Sequence, residues 1–213
     1  MSSILFRGIR KIYRIFKGKS FISFLEDEIG CGSLIDVGCG ENSPIKYVAK
    51  KGYSVGLDMF KPSILKSKRA KLHDDYVLAS INHLCFKPKS FQTAVLLDVL
   101  EHLIKSDGYK IMNEMERLAT NKVVMVTPNG FLNQHEYESN VHQKHLSGWT
   151  VRELETLGFS VHGMNGFRLF LTERAGYRIN QLWYFKFVDL SQILAFRFPI
   201  IAFQLLAVKK VIG

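Results

Sequence analysis

A chain of 213 residues, 47% of them hydrophobic, is long enough to bury one full-sized core and reads as a single globular domain. Its three cysteines, Cys31, Cys39 and Cys85, form no C-x-x-C pair and are odd in number, which argues against a disulfide framework and a thiolate zinc site and points to a reducing, cytoplasmic setting. The formal charge of +10 favours an anionic partner, whether nucleic acid, anionic lipid or acidic substrate.

In chain order, residues 1–20 come first as a basic amphipathic helix. Leu5, Ile9, Ile12 and Phe16 share one face, and Arg7, Arg10, Lys11 and Arg14 lie largely opposite. Those cations interrupt every apolar run, so no signal peptide is expected, and the helix docks either on its own domain or on the inner membrane surface as a peripheral contact. A second helix, about Phe21 to Glu28, stops at Gly30 and Gly32 and opens the domain 21–213.

Short apolar strands then alternate with turns or helices. Strands are predicted at Ser33–Val37, Tyr53–Leu57, Tyr76–Ile81, Thr93–Asp98, Lys122–Thr127, Phe159–Gly163 and Ile200–Val208. Such alternation means a mostly parallel α/β sheet covered by helices on both faces. The helices between them include Pro44–Lys51, a segment after Ser106 that stacks Ile111, Met112, Met115 and Leu118, and one opened by the capping box Thr150-x-x-Glu153 and closed by Gly158. A His-rich loop, 131–148, carries His135, Glu136, Tyr137, Glu138 and His142 and leaves the fifth strand, a place where loops on a rigid scaffold commonly carry specificity. An aromatic insertion, 167–199, reads as one or two amphipathic helices that cover substrate, interrupted by Lys186, Asp189 and Arg197 well short of a membrane span.

The first strand runs into Asp36-Val37-Gly38-Cys39-Gly40, followed by Ser43 as a cap and Pro44 at the first helical position. Glycine here lets a ligand approach the backbone. The second strand ends at Asp58, about 20 residues further on, where a ribose would be held. These features, with Phe91-Gln-Thr-Ala-Val-Leu-Leu-Asp-Val-Leu-Glu-His102 and Thr127-Pro-Asn-Gly130, resemble the class I S-adenosylmethionine (SAM)-dependent methyltransferases. The resemblance implies a Rossmann-like seven-stranded sheet with an antiparallel last strand. It also implies a SAM pocket built from Asp36, Gly38, Cys39, Gly40, Asp58, Met59, Ser80, Ile81 and Asp98. Two departures stand out: Asn42 replaces the third glycine of the first motif, and Ser80-Ile81 stands where the family often has an adenine-binding acid. An acid ending the second strand also suits a nicotinamide dinucleotide, but Asp36 directly before the turn and the Glu-His and Thr-Pro-Asn-Gly elements speak against that ligand.

SAM supplies an electrophilic methyl group, so the protein must align a nucleophile at roughly 3 Å and exclude water. An alcohol acceptor further needs a base or a metal, because its proton must leave. Asp98, Glu101 and His102 stand at spacings of three and four, and His145 precedes Trp149-Thr150. This set resembles the metal site of the small-RNA 3′-terminal 2′-O-methyltransferases and the quinone-pathway O-methyltransferases. It implies that Asp98, Glu101, His102 and His145 hold Mg²⁺, Mn²⁺ or Fe²⁺, or that Glu101, His102 and His145 act in general-base catalysis. The expected acceptor is a small molecule or lipid-like hydroxyl compound. RNA ranks second on charge, since no RNA-binding module accompanies the domain, and a non-catalytic SAM-fold binding protein ranks third.

Overall fold

In the computed structural model, residues 21–49, 51–81, 84–134, 143–172, 178–179 and 181–211 are described. The expected helix at 3–18 and residues His135, Glu136, Tyr137, Glu138 and His142 lie outside them.

Seven strands form one sheet: β1 (Leu34–Val37), β2 (Ser54–Asp58), β3 (Asp75–Leu78), β4 (Phe91–Leu97), β5 (Ala119–Pro128), β6 (Ser160–Phe167) and β7 (Ala202–Lys210). Their spatial order is β3-β2-β1-β4-β5-β7-β6. The first five run parallel, and β7 lies antiparallel between β5 and β6. Every residue of β1 is buried, Asp36 included, as befits a strand covered on both faces. β3, at one edge, is partly exposed and carries Asp75, a charge that suits an unpaired edge.

The helices are α1 (Phe21–Ile29), α2 (Lys61–Arg69), α3 (Lys105–Leu118), α4 (Val151–Thr156) and α5 (Leu182–Arg197). Ile111, Met112, Met115 and Leu118 of α3 pack with Leu96, Met125 and Leu205 on one face of the sheet. Phe24, Leu25 and Ile29 of α1 join Val95, Val124 and Leu206 on the other. The capping box of α4 is formed: the Thr150 side chain accepts from the Glu153 N–H, and Glu153 accepts from the Thr150 N–H at 2.9 Å. Among the described residues, the 167–199 insertion supplies one α-helix, α5, and a 3₁₀ turn, Pro199–Ile201, leads into β7.

Two expected elements differ. The helix expected over Pro44–Lys51 is one 3₁₀ turn, Pro44–Tyr47. Ser43 caps it, but Val48 is extended, and the Ala49 N–H that would continue a helix donates instead to Glu26 Oε1 at 3.0 Å. β3 stops at Leu78, so Ser80 and Ile81 lie in the turn beyond the strand rather than at its end.

Candidate active site

The sheet's parallel strands deliver their C-terminal ends to one edge, and the motif residues collect there. Gly38 and Gly40 follow β1 with φ of +73° and +56°, a left-handed backbone that favours glycine. They are glycine for different reasons. A Cβ on Gly38 would lie 2.5 Å from Val99 Cγ2, so this residue lets β1 pass close to the turn after β4. A Cβ on Gly40 would meet nothing within 4 Å, because that side of the turn faces open space.

Asp58, at the end of β2, fixes this turn. Its Oδ2 accepts from the Gly40 N–H at 2.9 Å and its Oδ1 from the Phe60 N–H at 2.7 Å. Each oxygen keeps further acceptor capacity, which two ribose hydroxyls can use. Met59 is exposed beside it and Ile81 is buried, one open and one fixed apolar surface for a base. Cys39 is buried, and burial, followed by Asp36 and Asp58, pushes its thiol far up, so it serves as packing rather than as a nucleophile.

Asp36 is buried below the turn. Ser43 Oγ donates to its Oδ2 at 2.6 Å, and His73 Nε2 stands 3.2 Å from the same atom. The His73 ring packs over Gly56, where a Cβ would come within 2.5 Å of it. Asp36 therefore holds the turn from beneath instead of presenting itself at the surface. Sequence reading missed His73, which lies 37 positions from Asp36 with no motif around it.

On the acceptor side, β4 ends at Leu97 and the chain turns sharply at Asp98, whose φ is +54°. A 3₁₀ turn, Leu100–His102, follows. The main chain of 143–148 is stitched to it, with Leu146 and Ser147 N–H groups donating to the Glu101 carbonyl at 2.8 and 3.0 Å. The fully buried Trp149 locks this junction. Its Nε1–H donates to Ser147 Oγ at 3.1 Å, its ring covers Gly108 of α3, and Lys105 Nζ sits 3.8 Å from the ring centroid. This joint is what carries His145 to His102.

Glu101, His102 and His145 come together, with one potential ligand atom from each lying within 4.8 Å of the others. His145 Nδ1 is 2.8 Å from the Leu132 carbonyl and His102 Nδ1 is 3.1 Å from the Lys144 carbonyl. A carbonyl only accepts, so each Nδ1 carries the proton and, in the neutral ring, each Nε2 has a bare lone pair. Burial pushes His102 down to about 4, the neighbouring His145 adding to the effect, and burial lowers His145 as well. Both imidazoles are thus held neutral. Glu101 is pushed well up by burial and by Asp98, although Thr127 Oγ1 donates to its Oε2 at 3.1 Å.

Asp98 stands apart from this group, so the expected set of four ligands is a cluster of three. Its Oδ1 accepts from Gln204 Nε2 of β7 at 2.6 Å, and its left-handed backbone breaks the helical count that would stack it with Glu101 and His102. Asp98 is open to the cleft yet has protein on most sides, and that desolvation pushes its carboxyl up to about 6, with the Gln204 bond pulling the other way.

The end of β5 ties this side to the insertion. Asn129 Nδ2 donates to three carbonyls, Pro199, Ile200 and Ala202, at 3.1, 2.9 and 2.9 Å, and Arg168 donates to the Asn129 and Phe131 carbonyls. A polar cleft lined by Asp27, Gly30, Gln92 and Lys122 opens at the opposite, N-terminal edge of the strands and has no part in this constellation.

Residues 35–127 match the family model described as a methyltransferase domain. An uncharacterised protein of Methanocaldococcus jannaschii is 29% identical over 133 residues, 60% of this chain, and the match spans 55% of that relative's length. Among solved structures, a chain of the complex between the Haloferax volcanii Trm112 methyltransferase activator and a methyltransferase has a TM-score of 0.58 at 13% identity, covering 94% of this chain and 96% of that one. The plantazolicin methyltransferase BpumL, in complex with SAH, has a TM-score of 0.54 at 14% identity, covering 100% and 92%. At those identities the two structures speak for the fold. The match over residues 35–127 shows a SAM-dependent methyltransferase domain there, and the sheet order with its antiparallel β7 is that of the class I fold.

Proposed function

We propose that this domain methylates a hydroxyl oxygen of a small-molecule or lipid-like acceptor, with Glu101, His102 and His145 receiving the acceptor group. The observation that carries this reading is that Glu101, His102 and His145 each bring a potential ligand atom within 4.8 Å of the others, while both Nδ1 atoms are spent on the Leu132 and Lys144 carbonyls and each Nε2 keeps a lone pair. An amine or carboxylate acceptor needs no such group, whereas an alcohol must lose a proton. Bound SAM supplies the electrophilic methyl, and on the geometry above Gly38, Gly40 and Asp58 would hold it.

A second reading uses the same three side chains as ligands. Two nitrogens and a carboxylate oxygen suit Mn²⁺ or Fe²⁺ better than Mg²⁺, and a cation there would offset the cost of ionising the buried Glu101. The backbone carbonyls behind both histidines are the kind of outer partners that orient metal-bound imidazoles. RNA is the less favoured acceptor: the net charge suits it, but the described surface next to the site is apolar, with Phe131, Leu146 and Ile200 exposed.

The test is transfer of label from methyl-labelled SAM to panels of hydroxylated small molecules, lipid extracts and RNA, with and without a chelator. The proposal expects label in hydroxyl-bearing small molecules or lipids. Label confined to RNA, or to amines and carboxylates, would overturn it. Activity unaffected by chelation favours general-base chemistry, and activity lost on chelation and restored by Mn²⁺ or Fe²⁺ favours the metal.

A further inference from the structure

Helix α5 has two apolar sides. Tyr184, Val188, Ser191 and Ala195 are buried on the side that packs on β6 and β7. Trp183, Phe187, Leu190 and Leu194 recur at helical spacing on the other, and each is between 49% and 61% exposed. A surface helix ordinarily turns polar residues to solvent. This stripe continues through Phe198 and Ile200 into the apolar rim beside Asn129, where Leu169 is also exposed. A contiguous apolar surface of that kind marks a contact site.

Three observations select its occupant. Lys186 and Arg197 are exposed on α5, and Arg178 is exposed ahead of it. α1, whose first residue is Phe21, packs against α5, with the Phe24 and Phe196 ring centroids 5.6 Å apart, and residues 1–20 precede it in the sequence. In sequence that stretch carries Arg7, Arg10, Lys11, Arg14, Lys17 and Lys19 and no acid. Finally, no helix among the described residues is long and apolar enough to cross a membrane. Apolar side chains backed by cations, on a helix that cannot span, match the interfacial region of an anionic bilayer.

We propose that the outer face of α5 seats on an anionic membrane surface and turns the acceptor side of the site toward the lipid. The acceptor is then an amphiphile whose hydroxyl is reached from the membrane plane. This last step rests on the hydroxyl reading above; the docking itself does not.

Trp183 makes the test direct, because Trp149, the second of the chain's two tryptophans, is fully buried. The purified protein is mixed with phosphatidylcholine vesicles containing about one-third phosphatidylglycerol, or none, with and without brominated acyl chains. The expected result is co-sedimentation with the anionic vesicles, a blue shift of Trp183 emission and quenching by bromine. The triple change Phe187→Ser, Leu190→Ser, Leu194→Ser should weaken binding at least about tenfold, since three apolar side chains leave the bilayer. Its melting shift with SAM should match wild type, which shows the fold intact. The proposal is overturned if anionic vesicles are not bound, if they are bound without quenching of Trp183, or if the triple variant binds as well as wild type. A concentration-dependent dimer that the triple change abolishes, without vesicle binding, would overturn it in favour of a second copy of the chain. Vesicle binding retained while hydroxyl acceptors fail to be labelled would support the docking and sink only the acceptor reading.

Discussion

The two halves of the sheet hold their ligand-facing groups in opposite ways. On the β1–β2 side, Asp36 is held by Ser43 and His73, and Asp58 by the Gly40 and Phe60 N–H groups, all within residues 36–73. On the β4–β7 side, every important contact is long-range: Gln204 to Asp98, Leu146 to Glu101, Asn129 to the turn before β7. A pocket for an invariant cofactor can be built from local motifs. A pocket for one acceptor among many has to be assembled from distant loops on a rigid scaffold.

That contrast can be broken most forcefully at the imidazole pair. The double change His102→Ala, His145→Ala should lower kcat by about 10²- to 10⁴-fold, the usual worth of general-base catalysis, while SAM affinity stays near wild type. A parallel loss of SAM binding would show that the two sides are not separable. The same pair predicts the pH profile. Since His102 is pushed down to about 4 and must be unprotonated to act, kcat/KM should hold as the pH drops through 6.5 and fail only as it approaches 4. An acid limb near 6 that disappears on Asp98→Asn would report that raised carboxyl, and one that survives the change would count against the imidazoles as the base.

Asp58→Ala tests the other side. SAM at 100 times its dissociation constant should stabilise wild type by roughly 2.7 kcal/mol, about 5–10 °C in a chain of this size, and the substitution should remove most of that shift. Asn129→Ala should cost about 1–3 kcal/mol by thermal unfolding, because three carbonyls lose their donor together, one of these bonds being buried. At the small end, Leu190→Ser lies on the exposed stripe and should change stability by no more than about 0.5 kcal/mol in the absence of lipid. A larger loss would mean that the stripe is covered within the chain.

Legibility followed the same division. The glycine turn, Asp58, the strand alternation and the capping box at Thr150 are short-range patterns, and each stands in the structure where the spacing puts it. Helix length after Pro44 was not legible, because the decisive partner, Glu26, sits 23 positions upstream. Asp98 was placed with Glu101 and His102 by counting along an imagined helix, and a single left-handed residue undoes that count. Gln204 and His73 carry no signal of their own, since a lone glutamine or histidine in an apolar segment is read as packing until its distant partner is known. The His102–His145 meeting was suggested by resemblance, yet its physical cause is Trp149 and the Glu101 carbonyl, neither of which spacing reveals.

The placement of β7 bears on how the protein is made. Among the described residues β6 pairs only with β7, and β7 is the wedge that joins it to β5. While a ribosome is still extending the chain short of residue 202, β6 has no sheet neighbour, β5 is a bare edge, and Asp98 lacks Gln204. A nascent chain at that stage exposes unpaired strands of the kind that aggregate. Closing the sheet and completing the acceptor side are therefore one event, and it waits for the segment 202–210.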